Sequence, residues 1–212
     1  MSRCPGAYRD LVDGVNMRNL EGYNGYHTLR EGRRSGGVSV FCLRGSVSQK
    51  FEALCESNDK IELCAVDVKC ASMTTAILAI YRPHSSSIAD FTERLMVLLQ
   101  LQMLQNQHIG LLGDFNINLL ATNCPHMDIF MNNLQTLHYL PLITRPTRFP
   151  CPTQLRPSPP SILDHIWTDL AMPVRSRILC ADLTDHCPTF LLVHNLSYAS
   201  DSSKLSFRSQ KV

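Results

Sequence analysis

Four groups of polar side chains stand where apolar runs end: Tyr81, Asp114 with Asn116, Asp164 with His165, and Asp185 with His186. Taken singly, each is what a turn uses, because Asp and Asn close turns by bonding their own backbone. Taken together they hold the parts of an acid–base site. Asp164 lies inside the apolar run Ser161–Thr168, where a carboxylate is costly unless it finds a partner. His186 could be that partner, since a carboxylate orienting an imidazole recurs in catalysis. His165 also sits in the run, and a histidine there commonly meets a plain hydrogen-bond partner, so it is read as structural.

The elements that must position these groups are short. Val38–Leu43 follows Gly36-Gly37 and reads as a strand, as do Ile61–Val68 and Thr74–Tyr81, the last stopped by Arg82-Pro83. His108–Leu112 is a strand running into Gly113-Asp114, and Ser161–Thr168 and Pro188–His194 are the last two. Two amphipathic helices are expected, over 88–105 and 126–138. Ile88, Phe91, Leu95, Leu98 and Leu99 share one face of the first, and Met127, Phe130, Leu134 and Leu137 one face of the second. Ser87 with Asp90 resembles a capping box at the first. Six prolines crowd residues 144–160, which reads as a long loop.

The chain has 212 residues, 44% of them hydrophobic and 18% charged, which is globular composition for one large domain. Residues 1–35 read as an irregular N-terminal segment, 36–195 as the folded domain and 196–212 as a disordered Ser/Lys/Arg-rich tail. Strands and helices spread along one chain predict an α/β (α+β) sandwich, with two packed mixed β-sheets flanked by helices. No apolar run approaches the roughly 18 residues of a membrane span, and Met1–Asp10 has no apolar core of a secretory signal. The nine cysteines include no C-x-x-C pair, which argues for reduced, mostly buried thiols in an intracellular compartment and an idle sequon at Asn195. A net charge of +2 neither identifies nor excludes a nucleic-acid binder.

Ile80-Tyr-Arg-Pro83, Gly113-Asp-Phe-Asn116, Ile162-Leu-Asp-His-Ile166 and Thr184-Asp-His186 occur in an order that resembles the endonuclease/exonuclease/phosphatase superfamily. Arg33-Arg-Ser-Gly-Gly-Val38, Phe91 with Leu95, and Pro146-Thr-Arg148 bring it nearest to the endonuclease domain of LINE-type (non-LTR) retrotransposons, over roughly residues 20–194. The resemblance implies hydrolysis of a DNA phosphodiester with a divalent cation, usually Mg²⁺, and a nuclear location. Carried over residue by residue, Asp114 orients or deprotonates the attacking water, and Asn116 bonds a phosphate oxygen or positions the water's surroundings. Tyr81 donates to the phosphate. His186 stabilises the transition-state charge, Asp164 fixes the His186 tautomer, and Asp185 stands near the metal. Arg82, Arg145, Arg148, Arg30, Arg33 and Arg34 become candidate phosphate contacts.

The resemblance also implies a strand and a metal-binding glutamate ahead of Gly22. The stretch that falls there, Met1–Asp10, contains no glutamate and no strand pattern. A shortened N-terminus, one sheet lacking its first strands and impaired turnover are therefore expected. The alternative is a non-catalytic remnant that serves as a phosphate- or DNA-binding or interaction module.

Overall fold

Side chains that alternate between two apolar environments build the main sheet. In β5 (Glu62–Cys70) Leu63 and Ala65 enter one hydrophobic cluster while Cys64 and Val66 enter another, and all four are buried. In β6 (Met73–Tyr81) Ala76, Leu78 and Ile80 join the first cluster, as do Ile109 and Leu111 of β7 (His108–Asp114). Such two-sided burial demands a layer above and a layer below the sheet. The computed structural model describes residues 20–30, 37–70, 73–103, 108–150, 159–169, 174–180 and 184–193.

The sheet runs in the order β3 (Val47–Lys50), β5, β6, β7, β9 (Asp164–Asp169) and β8 (Tyr139–Pro141), with β4 (Glu56–Ser57) also paired to β5. Among the described residues only β6 and β7 pair in parallel, and the helix α1 (Ile88–Met103) lies in the crossover between them. α1 and α2 (Pro125–Thr136) cover one face through Phe91, Leu95, Leu98, Phe130 and Leu134. Ser87 caps α1: its Oγ accepts the Asp90 N–H at 3.0 Å and donates to the Asp90 carboxylate at 2.6 Å. The other face carries two antiparallel hairpins. β1 (Tyr23–Leu29) with β2 (Gly37–Leu43) packs over Cys64 and Val66, and β10 (Val174–Ile178) with β11 (Thr189–Val193) packs near Ile166.

The result is a mixed α/β sandwich, with some differences from the sequence reading. Among the described residues the second layer consists of two two-stranded antiparallel sheets. Residues 23–29, read as irregular, form β1, so a boundary at residue 36 cuts a hairpin. The segment YNGYHTL shows no apolar alternation. It becomes a strand because Tyr23 to Leu29 pair in register with Leu43 to Gly37, and because the Tyr26 hydroxyl donates to the Ser48 carbonyl at 2.7 Å. β3, β8 and β10 are likewise strands by pairing. Arg33, Arg34, the stretch Met1–Asp10 in which the glutamate is expected, and the tail 196–212 lie outside the described residues. Among the described residues, no helix is long and apolar enough to cross a membrane.

Candidate active site

Strand register places the chemistry. Tyr81 pairs with Asp114 across β6–β7, and Asp114 pairs with Asp164 across β7–β9. Residues facing each other on adjacent strands share a face of the sheet and stand about 4.8 Å apart. Glu62 extends the row on the far side, opposite Tyr81. Four polar side chains thus line one end of the hairpin-bearing face, each at the terminus of its strand.

The turn after β7 is shaped by close approach. Gly113 has φ +142°, and a Cβ there would lie 1.9 Å from the Ile80 carbonyl oxygen, so only glycine fits. Asp114 Oδ1 then accepts the Asn116 N–H at 3.0 Å, and Asn116, at φ +50°, donates from Nδ2 to the Arg82 carbonyl at 2.9 Å. Arg82 closes the loop from beneath. It is buried, and its guanidinium donates to the carbonyls of Phe115 at 2.8 Å, Asn116 at 2.6 Å and Ser86. The expected phosphate contact at Arg82 is therefore corrected: its donors hold backbone carbonyls that would otherwise be buried without partners.

Asp164 and His186 meet. His186 Nδ1 lies 2.9 Å from Asp164 Oδ2, and both side chains are half-buried. Thr147, fully buried, holds Asp164 from behind: its Oγ1 accepts the N–H groups of Leu163 and Asp164, both at 3.1 Å. The Thr147 carbonyl accepts the Cys187 N–H at 2.6 Å, so one residue ties the Asp164 strand to the His186 segment. One ligand atom from each of Asp114, Asp164 and His186 falls within 4.8 Å of the others.

The electrostatics follow from this crowding. Burial pushes the Asp114 carboxyl above its ordinary value, and the nearby Asp164 charge pushes the same way. The hydrogen bond to Asp164 raises the His186 imidazole, with the Asp114 and Asp185 charges adding to it against burial. The two carboxylates face one another and fit a hard cation through oxygen, as Mg²⁺ sites built on one or two carboxylates do. Tyr81 is half-buried with its hydroxyl 3.5 Å from His84 Nδ1, and the His84 charge also acts on Asp114.

The other expected contacts separate. Asp185 lies outside the three-residue cluster, where Arg148 Nε donates to its Oδ2 at 2.8 Å and holds its carboxyl below the ordinary value. Asp185 and Arg148, read as a metal neighbour and a phosphate contact, are thus partners of one another. Arg30 Nε donates to Glu62 Oε1 at 2.5 Å. Arg145 is exposed and lines a groove of about 640 Å³ together with Pro146, Phe149 and Arg177. His165 is fully buried and structural. Its Nε2 donates to the Ile117 carbonyl at 2.8 Å, its Nδ1 accepts from Trp167 at 3.3 Å, and its ring stacks on Phe115.

Glu62 and Thr147 are the members of this end that residue-type reasoning passed over. The signal for Glu62 was the one that exposed Asp164, a carboxylate beside an apolar strand. Thr147 was visible only as the centre of Pro146-Thr-Arg148.

No family model and no curated protein matches the chain. Solved structures do. The chain is similar to the endonuclease domain of TRAS1, a telomere-specific non-LTR retrotransposon, at TM-score 0.67 and 15% identity over 82% of this chain and 81% of that one. It is similar to the AP endonuclease LMAP from Leishmania major at TM-score 0.66 and 13% identity, over 88% of this chain and 75% of that one. The Xenopus laevis APE2 catalytic domain matches at TM-score 0.59 and 14% identity, covering 87% of this chain and 79% of that one. By this structural likeness the chain has the endonuclease/exonuclease/phosphatase fold.

Proposed function

We propose that the chain carries a retrotransposon-type endonuclease site for Mg²⁺-dependent hydrolysis of a DNA phosphodiester, with turnover impaired. The observation that carries this reading is the convergence of Asp114, Asp164 and His186 at one strand-end row, with Asp164 bonded to His186. Asp114 and Asp164 would hold the cation, which when bound offsets the charge that grows on the phosphate and leaving oxygens. Asp114, whose carboxyl is raised by burial, accepts the proton of the attacking water. Asp164 fixes the His186 ring, and the raised imidazole carries its positive charge toward the phosphate. Asn116 spends one N–H on the Arg82 carbonyl and keeps the other for a phosphate oxygen. Tyr81 adds a phenolic donor.

Impairment follows from the donor set. Among the described residues two carboxylates converge, and one of them is committed to His186. A cation held this way is held weakly. With DNA as the proposed substrate, we infer a nuclear location for the chain. A second reading, a phosphate- or DNA-binding module without turnover, is favoured by Asp185 being held by Arg148 rather than standing at the cluster.

The test is supercoiled-plasmid nicking with the full chain across a Mg²⁺ titration. Slow nicking that needs high Mg²⁺, stops with chelator and is lost in Asp114→Ala and His186→Ala supports the first reading. Salt-sensitive DNA binding with no nicking at any Mg²⁺ concentration leaves the second. Nicking that survives chelator or is indifferent to His186→Ala sinks the proposed site.

A further inference from the structure

The β4–β5 hairpin, whose Glu62 closes the far side of the strand-end row, also carries two thiols that the site does not use. The Asn58 N–H donates to the Ile61 carbonyl at 3.0 Å and closes a tight turn, which Asn58 Oδ1 braces by accepting from Lys60 and Ile61. From that bonded pair an antiparallel ladder alternates. Ser57 opposite Glu62 is a non-hydrogen-bonded position, and Glu56 opposite Leu63 a hydrogen-bonded one. Continuing that register by one residue sets Cys55 against Cys64 at a non-hydrogen-bonded position, and Cys55 packs against the apolar cluster that contains Cys64. The Cys55 N–H accordingly turns away, to the Glu52 carbonyl at 3.1 Å, while its backbone stays extended. Facing Cα atoms at such positions lie about 4.5 Å apart, within the roughly 4.4–6.8 Å that a disulfide spans.

The two thiols sit in unequal surroundings: Cys55 Sγ accepts the Ala65 N–H at 3.4 Å and lies 3.4 Å from the Phe51 carbonyl oxygen. Cys64 beside it, the Ala65 N–H and the Lys50 charge hold the Cys55 thiol below its ordinary value. The neighbouring Cys55 and burial push the Cys64 thiol up. Cys55 is half-buried and Cys64 has no exposed surface, so an oxidant meets Cys55 first. This pairs an accessible thiolate former with a protonated thiol within reach, the division of labour a reactive dithiol needs.

We propose that Cys55 and Cys64 are a peroxide-reactive dithiol that closes to a cross-strand disulfide. The Cys55 thiolate attacks one oxygen of hydrogen peroxide. The O–O bond breaks, hydroxide leaves and takes up a proton as water, and Cys55 becomes a sulfenic acid. The Cys64 sulfur then attacks the Cys55 sulfur. The S–O bond breaks, and the oxygen leaves as a second water carrying the Cys64 proton. Peroxide gains two electrons and the two thiols lose them. The link ties β4 to β5, and with it Glu56, whose carboxylate takes the α1 guanidinium of Arg94 at 2.5–2.9 Å.

The experiment treats the full reduced chain with hydrogen peroxide, followed by intact mass measurement and peptide mapping without reductant. The expected result is loss of two hydrogens and a linked Cys55–Cys64 peptide. Both thiols should escape alkylation together, and the melting temperature should rise by about 2–4 °C and return with dithiothreitol. Cys55→Ser should slow peroxide consumption roughly tenfold, because it removes the thiolate. Cys64→Ala, which keeps the core apolar, should stop the reaction at a Cys55 sulfenic acid that dimedone captures. Cys180→Ser, at an exposed position, should change neither result. Links that join other cysteines, or Cys55 and Cys64 alkylating at unchanged rates after peroxide, overturn the proposal.

Discussion

Asp164 and His165 are neighbours in sequence and face opposite sides of β9. On the hairpin side Asp164 reaches His186, a half-exposed imidazole that its carboxylate partner raises. On the helix side His165 sits among Phe115, Phe130 and Trp167, where burial lowers its pKa to about 4. One imidazole is kept ready to carry charge and the other is kept neutral. The ring is the same in both places, so its surroundings make the difference: a carboxylate at hydrogen-bond distance on one face, carbonyl acceptors and aromatic rings on the other. The strand works as a partition between a polar edge that can do chemistry and an apolar core that holds the edge in place.

The sharpest way to break this partition is to truncate one residue on each face. Trp167→Ala removes a fully buried side chain from the aromatic cluster and should cost about 3–5 kcal/mol of stability. Asp164→Ala should cost about 1.5–3 kcal/mol, the loss of one partly buried hydrogen bond to an ionised group. Any Mg²⁺-dependent nicking, by contrast, should fall about 10²-fold or more in Asp164→Ala. Urea unfolding and plasmid nicking on both variants check this. If Asp164→Ala unfolds the chain as badly as Trp167→Ala, the two faces are not separate.

pH tests the same contrast next. His165 has a folded pKa of about 4 against an ordinary 6.5, so between those values the unfolded chain binds more protons. Stability should therefore be full above pH 6.5 and decline as pH falls toward 4, by about 3 kcal/mol in all. His186 has the opposite sign. Its raised pKa gives stability that is present below 6.5 and lost as pH rises through the folded value. Urea melts across pH 4–8 should show the larger acid-side loss, with His165→Gln flattening that limb. A loss confined to the alkaline side would mean the His165 cavity admits water.

Much of the polar edge was legible because local sequence already contained its physics. Asp164, a carboxylate inside an apolar run, needs a partner, and strand-sized runs ending at Tyr81 and Asp114 invite pairing into one row with it. What was hidden depended on contacts made far along the chain. Arg82 stands beside Tyr81 like a phosphate ligand, yet carbonyls of Phe115 and Asn116, brought in by the turn after β7, take its donors. β1 has no alternation of its own and exists only because β2 returns beside it. Asp185 adjoins His186, but the bridge that sets Arg148 against His186 also sets the guanidinium on Asp185.

A smaller effect reads the His186 side alone. In the intact chain the His186 ring should titrate above the ordinary histidine value, followed by its proton NMR shifts. Asp164→Asn keeps the shape and removes the charge and the strongest acceptor, so the titration should move down. A His186 titration unchanged in Asp164→Asn would assign its raised value to Asp114 and Asp185 instead.

The smallest expected effect concerns Arg148 and Asp185, an exposed pair at the rim of the polar edge. Both side chains are more than a third exposed, so the pair should stabilise the fold by at most about 1 kcal/mol and less in salt. Its consequence lies in binding. With a net charge of +2 and Arg82 committed internally, duplex affinity should be weak, about 10⁻⁴–10⁻⁶ M, and steeply salt-dependent. Asp185→Asn releases the Arg148 guanidinium and removes a negative charge from the rim. Duplex binding should tighten about three-fold, and the slope of log K against log salt should steepen by roughly one phosphate contact. Arg148→Ala in the same background should reverse both changes, while urea melts of all three chains stay within about 1 kcal/mol of one another. Titrating a labelled duplex at two salt concentrations decides it. If Asp185→Asn leaves affinity and slope where they were, Arg148 does not face the nucleic acid, and the cationic contact must be sought at Arg145 beside the Phe149 groove.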